Sequence, residues 1–393
     1  MKNIYLIALL SVLIYSCSSD DSAPNIETLT QLPTIESVST TTATAGDIIT
    51  ITGKNFDPNK TYVVKFNEVE GTVTELAPTF LKAQVPDEAT SGDITLTVDG
   101  QTTVVGSIEI NTTDIFVFHS SAKKLAKIDV TTANFTYIGE NIDYGTNTRG
   151  AVIHSTNNEY IGFENDFTQP YIVRINLETG TTTNVSIPTS FLTVGTDFDD
   201  TAVDKDDNVY IFHNSAKKLA KIDVVTGNLT YLGENIDYGA NTRGAIIHKQ
   251  NNEYIGFEND FTQPYLVRIN LENGNVTNVS IPTSFLADGI DFSDITVDEN
   301  DNIYIFHDSV KKLAKIDVVT GNLTYIGENI DYGRNSLGAV IHAQNNEYFG
   351  FEDNFGEPYT ARINLDTGAV INTPIPNSFL TVGKDFDDIA IKR

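Results

Sequence analysis

Four side-chain types recur together at a fixed interval along this chain. They are the tyrosines Tyr144, Tyr238 and Tyr332, the glutamates Glu164, Glu258 and Glu352, the phenylalanines Phe167, Phe261 and Phe355, and the arginines Arg149 and Arg243, with Leu337 in the third arginine place. Aromatic rings beside planar carboxylate and guanidinium groups suit recognition of a hydroxylated ligand. Ring faces take its C–H surface while the planar polar groups pair with its hydroxyls. These residues are therefore the candidate ligand-binding set, for a glycan or for a protein partner. Two facts weigh on the other side. The chain has no tryptophan, the best stacking ring, and repeated aromatics also serve simply to pack one repeat on the next.

Other constellations carry less. The six histidines form two sets, His119, His213 and His307, and His154, His248 and His342. Either could ring an axis and bind a metal through imidazole. Hydrogen bonding at strand ends is the plainer role. The turns Asp204 to Asn208 and Asp298 to Asn302 place oxygen ligands at alternate positions, as a calcium loop would. Asp204, Asp206, Asp298 and Asn300 are thus weak metal candidates, and Ca²⁺ is the one cofactor the sequence admits. The turns lack the glycine and distal glutamate of an EF-hand, and hairpin chemistry also explains them. No nucleophile elbow and no phosphate loop occurs, and no catalytic residues are assigned. The expectation is a non-catalytic binding module. A lyase or hydrolase with a central metal-assisted site, and an adhesion or scaffold protein, stand as alternatives.

The elements that position these residues follow from the repeat. His119, His213 and His307 lie 94 residues apart, as do Phe198, Phe292 and Phe386. Three such periods cover 112–393. Each period splits into two related halves of about 47 residues, the size of a four-stranded propeller blade. Six halves predict a six-bladed β-propeller. Its first half begins at Asp114-Ile115-Phe116-Val117, already in a second strand. The missing innermost strand matches Asp199 to Val203, and the C-terminal Asp387-Asp388-Ile389-Ala390-Ile391 supplies that pattern once more. The last strand is thus expected to close the first blade, which removes the exposed edges of an open sheet. In such a ring the connections between blades share a face with the loops between second and third strands. Most of the candidate binding residues fall on that face.

Ahead of the repeats, 33–111 shows short alternating strands such as Ile48 to Thr52 and Ile94 to Val98, broken by Gly53, Gly71, Gly92 and Gly100. The runs Pro33 to Val38, Ala45-Gly46-Asp47, Ile51 to Phe56, Val64 to Asn67 and Val85-Pro86 resemble an IPT/TIG domain. That resemblance implies a small Ig-like β-sandwich used as a spacer or interaction module. The whole is read as all-β.

At the N-terminus, Lys2 and the apolar run Ile4 to Tyr15 form a signal-peptide pattern, too short for a membrane span. Ile14-Tyr15-Ser16-Cys17 resembles a lipobox, which implies a signal peptide over 1–16 and acylation of Cys17. Residues 17–32 then make a polar tether. The Ser-Ser-Asp-Asp following the cysteine resembles the surface-export signal of Bacteroidetes lipoproteins, so the expected location is the outer membrane, lipid-anchored and facing outward. With one cysteine there is no intrachain disulfide. The net charge of −28 repels nucleic acid. Glycan or an envelope protein is the expected partner, and the expected state is a monomer.

Overall fold

The structure, a computed structural model, describes residues 32–86, 89–110, 113–333, 336–353 and 357–392. Cys17, the signal segment, most of the tether and Phe355 lie outside the described residues.

The first unit is a sandwich of short strands whose alternation sorts side chains by face. In Ile48–Lys54 the burial alternates residue by residue, so Ile49 and Ile51 are inside while Ile48 is exposed. They pack with Val64, Phe66, Leu81, Ala83, Ile94 and Leu96 in one core. Gly53 is required where Thr34–Val38 pairs with this strand, since a Cβ there would lie 2.2 Å from the Thr34 carbonyl oxygen.

From Asp114 onward the described strands form six antiparallel four-stranded blades. The innermost strands are Thr148–His154, Asp199–Val203, Thr242–His248, Phe292–Val297, Ser336–His342 and Asp387–Lys392. Each touches the one before and the one after it, all the way round. The ring is closed by the C-terminus: Asp387–Lys392 pairs with Asp114–His119, Ile389 opposite Val117 and Ala390 opposite Phe116. The expectation of a propeller with its first blade completed by the last strand holds.

The blades are held together by apolar layers between neighbours. Phe163 and Ile172 of the second blade meet Phe198, Ile211 and Ala220 of the third, and the same layer recurs around the ring. Each buried Phe or Ile contributes about 1.5–3 kcal/mol. The histidines belong to this packing. His119, His213 and His307 are buried and stacked on Phe386, Phe198 and Phe292 with ring centroids 4.0–4.2 Å apart. One ring nitrogen meets a tyrosine hydroxyl (Tyr137, Tyr231, Tyr325) and the other a glycine carbonyl (Gly383, Gly195, Gly289) of the preceding connection. Burial pushes their pKa down, so they serve as neutral clamps.

The acidic turns join blades too. Asp207 accepts the backbone N–H of Ser155 and Thr156, and Asp301 accepts those of Lys249 and Gln250, across to the preceding blade. The weak calcium candidates carry contacts within their own turns. Asp204 accepts from Asp206 N, Asn208 N, Asn208 Nδ2 and Tyr210 Oη, and Asp298 accepts from the matching atoms of Asn300, Asn302 and Tyr304. Asp206 pairs with Lys205. Among the described residues no three His, Cys, Asp or Glu are grouped to hold a metal ion. Asp204 and Asp298 close their own hairpins, and the neighbouring Asp207 and Asp301 staple blades.

Truncation after Phe386 removes the closing strand, including buried Ile389 and Ala390, and exposes the edge at Asp114–His119. The expected result is a loss of several kcal/mol of stability and aggregation, read by thermal unfolding and size-exclusion chromatography. Unchanged melting would show that the ring does not depend on that strand.

Candidate functional site

The innermost strands surround a central channel of about 950 Å³. At its connection-bearing end each innermost strand of the first, third and fifth blades begins with a bulge, seen as register shifts at Asp199/Thr201, Ser293/Thr296 and Asp387/Ile389. The bulge puts Asp200, Asp294 and Asp388 at positive φ, 43°, 46° and 30°. Aspartate reaches that region more readily than most side chains, and here each one is further held by tyrosines.

The tyrosine set holds these aspartates in place. Tyr144, Tyr238 and Tyr332 are 5%, 1% and 5% exposed. Their hydroxyls donate to Asp388 Oδ2 at 2.5 Å, Asp200 Oδ2 at 2.5 Å and Asp294 Oδ2 at 2.6 Å. A second buried set, Tyr160, Tyr254 and Tyr348, donates to the backbone carbonyls of the same aspartates. The ring faces are enclosed as well. Each candidate tyrosine lies on a glycine of the next blade (Gly162, Gly256, Gly350), where a Cβ would approach the ring to 2.3–2.4 Å. The tyrosines expected to stack on ligand are placed instead as props beneath the channel wall.

The glutamates are buried anchors. Glu258 accepts the N–H of Gly239, Ala240 and Asn241 at 2.8, 3.2 and 2.5 Å. Glu164 accepts those of Gly145, Thr146 and Asn147, and Glu352 that of Gly333. Each holds the connection preceding its own blade, which fits a carboxylate that charge-assisted N–H bonds stabilise. Arg149 and Arg243 line the channel. Their Nε atoms donate to the carbonyls of Phe198 and Phe292 at 3.1 and 2.8 Å, and Arg149 also faces Asp199 at 3.5 Å. Phe167 and Phe261, by contrast, are 82% and 78% exposed on the loops of the same face.

The carboxylates that line the channel were not singled out by the repeat pattern. Asp199, Asp308 and Asp387 are each pushed up to about 7, and Asp388 to about 6, with burial the largest cause. Neighbouring carboxylates push Asp199 and Asp387 further. Burial raises Asp200 and Asp294 as well. An exchange of residue types marks this ring. Asp199 and Asp387 are replaced by Ser293 in the remaining period, while Asp308 stands where the other periods have Ser120 and Asn214. Ser293 is hydrogen-bonded to Asp308. The carboxylate thus moves to the adjoining strand end yet still lines the channel. A comparison between periods could have found this, because the loss at one position is matched by a gain at the other.

Residues 33–113 match the IPT/TIG domain family. No curated protein matches the chain. Among solved structures, it is similar to TolB from Acinetobacter baumannii at 14% identity, covering 84% of this chain and 82% of that one with a TM-score of 0.52. A chain of a nidogen/laminin complex is similar at 11% identity, covering 72% and 99%, TM-score 0.53. An auxiliary nutrient binding protein from Bacteroides thetaiotaomicron is similar at 14% identity, covering 81% and 95%, TM-score 0.40. At these identities the likeness is one of fold alone.

Carboxyls whose pKa is raised on folding bind protons more readily in the folded chain, so they lower stability as pH climbs from the ordinary range near 4 through about 7. The Asp199→Asn, Asp308→Asn, Asp387→Asn triple variant should therefore gain melting temperature relative to the parent between pH 5 and pH 7.5. A constant difference across that range would show that these groups titrate normally. Separately, Glu258→Ala should cost about 1–3 kcal/mol by orphaning three N–H groups, read by denaturant unfolding.

Proposed function

We propose that the propeller is a non-catalytic binding module that engages a basic protein partner through its connection-bearing face. The observation that carries this is the division of labour among the candidate residues. The rings best suited to stack on sugar, Tyr144, Tyr238 and Tyr332, are enclosed. What the face offers a partner is a carboxylate-lined channel and the exposed rings of Phe167 and Phe261. Exposed aromatics beside a charged recess are the makings of a protein interface, where such rings act as anchors. The net charge of −28 steers a basic partner toward it. The Ig-like unit serves as a spacer, and acylated Cys17 holds the chain to the outer membrane with the propeller facing outward.

Photo-crosslinkers at Phe167 and Phe261 in intact cells should give discrete protein adducts, while the same groups at Val225 and Val319, exposed on loops of the opposite face, should not. Adducts from neither pair, together with a glycan-array hit, would replace the protein partner by a glycan. The anchor has its own test. Cys17→Ser should abolish incorporation of labelled palmitate and release the protein from membranes.

A further inference from the structure

The turns that join the third and fourth strands of the blades are built alike, with one exception. Five of them carry threonine just before a left-handed residue: Thr132, Thr179, Thr226, Thr320 and Thr367. Each hydroxyl accepts the backbone N–H two residues on, at 3.2–3.4 Å. In the fourth blade the place is held by Asn273, whose Oδ1 accepts the matching N–H, that of Asn275, at 2.9 Å. Asparagine can close this turn as threonine does, but it brings an amide that threonine lacks. The residue after it is Gly274, and no other asparagine in the sequence precedes a glycine.

That pair is chemically labile. With no Cβ on Gly274 to hinder it, the glycine nitrogen can reach the side-chain carbonyl carbon of Asn273. A bond forms between Gly274 N and Asn273 Cγ, the Cγ–Nδ2 bond breaks, and ammonia leaves with the proton from the glycine nitrogen. Water then opens the resulting cyclic imide at either carbonyl. One opening gives aspartate. The other gives isoaspartate, in which the main chain runs through Cγ and is longer by a methylene. The folded hairpin restrains this reaction. Asn273 is exposed, but its Oδ1 is engaged, and Gly274 N donates to the Asn270 carbonyl at 2.8 Å. Gly274 is also buried against the third blade, where a Cβ on it would lie 2.3 Å from Gly233 N.

We propose that Asn273 is a site of spontaneous deamidation, gated by opening of its hairpin, and that isoaspartate formed there no longer fits the seat beside Gly233. Opening releases two hydrogen bonds and the glycine contact together, so the reactive geometry belongs to a minor state of the turn. The two products differ in what they do to the blade. Aspartate keeps the chain length and an oxygen for Asn275 N. Isoaspartate pushes an extra methylene into a place where Gly274 and Gly233 leave no room for one. Gly233 begins the connection whose Gly239, Ala240 and Asn241 are held by Glu258, so the strain falls between the third and fourth blades.

The test ages the full chain at pH 8, folded in buffer or unfolded in urea. Peptide mapping follows residue 273, with isoaspartate located by fragment sequencing. Conversion at 273 is expected in both samples, about tenfold slower in the folded one. Asn273→Thr gives this turn the residue of the other five, so it should fold, and it is expected to abolish the conversion. No conversion at 273 in urea would overturn the site. Equal rates in urea and in buffer would overturn the gating. The seat is read separately by thermal unfolding. Asn273→Asp, the product of unchanged chain length, should melt with the parent, while the isoaspartate fraction of the aged folded chain should melt lower than both. If that fraction melts with Asn273→Asp, the claim that isoaspartate does not fit beside Gly233 falls.

Discussion

Everything in the propeller depends on the pairing of its last strand with its first. Asp387–Lys392 lies along Asp114–His119, and that ladder converts six separate sheets into a ring in which every innermost strand has two neighbours. The closing strand does more than close. It carries Asp387 and Asp388 to the channel and the carbonyl that Tyr160 bonds. The residues that complete the site's symmetry therefore arrive from the far end of the chain, and the channel exists only once the ring is shut.

Around that closure the polar groups fall into two roles. Glu164, Glu258 and Glu352, the clamping histidines and the turn aspartates Asp207 and Asp301 are all consumed in holding connections and neighbouring blades. The channel aspartates are held differently. Tyrosine hydroxyls fix Asp200, Asp294 and Asp388 in left-handed backbone, and burial leaves them and their neighbours reluctant to ionise.

The three periods share a scaffold but not a surface. Thr201 against Ile295 and Ile389, and Leu337 against Arg149 and Arg243, give each third of the channel its own chemistry. A ring built by near-identical repeats can therefore offer a single oriented site.

Much of this was legible in the residues alone. The interval of 94, the two halves within it and the orphan strand pattern at Asp387 to Ile391 dictated six blades and their closure, because strand pairing obeys a local alternation that any copy of the pattern reveals. The candidate set was legible only as a recurrence. Whether Tyr238 displays its ring or hides it turns on Gly256 of the next blade and Asp200 of the one before, and neither contact leaves a mark on the spacing. The exposed Phe261 and the buried Glu258 sit three residues apart on one hairpin, yet one is free and the other bound to three N–H groups. Local pattern determined which elements form and in what order. Only the closed ring decided which side chains face the channel, because that depends on contacts between blades distant in sequence and on the burial they create.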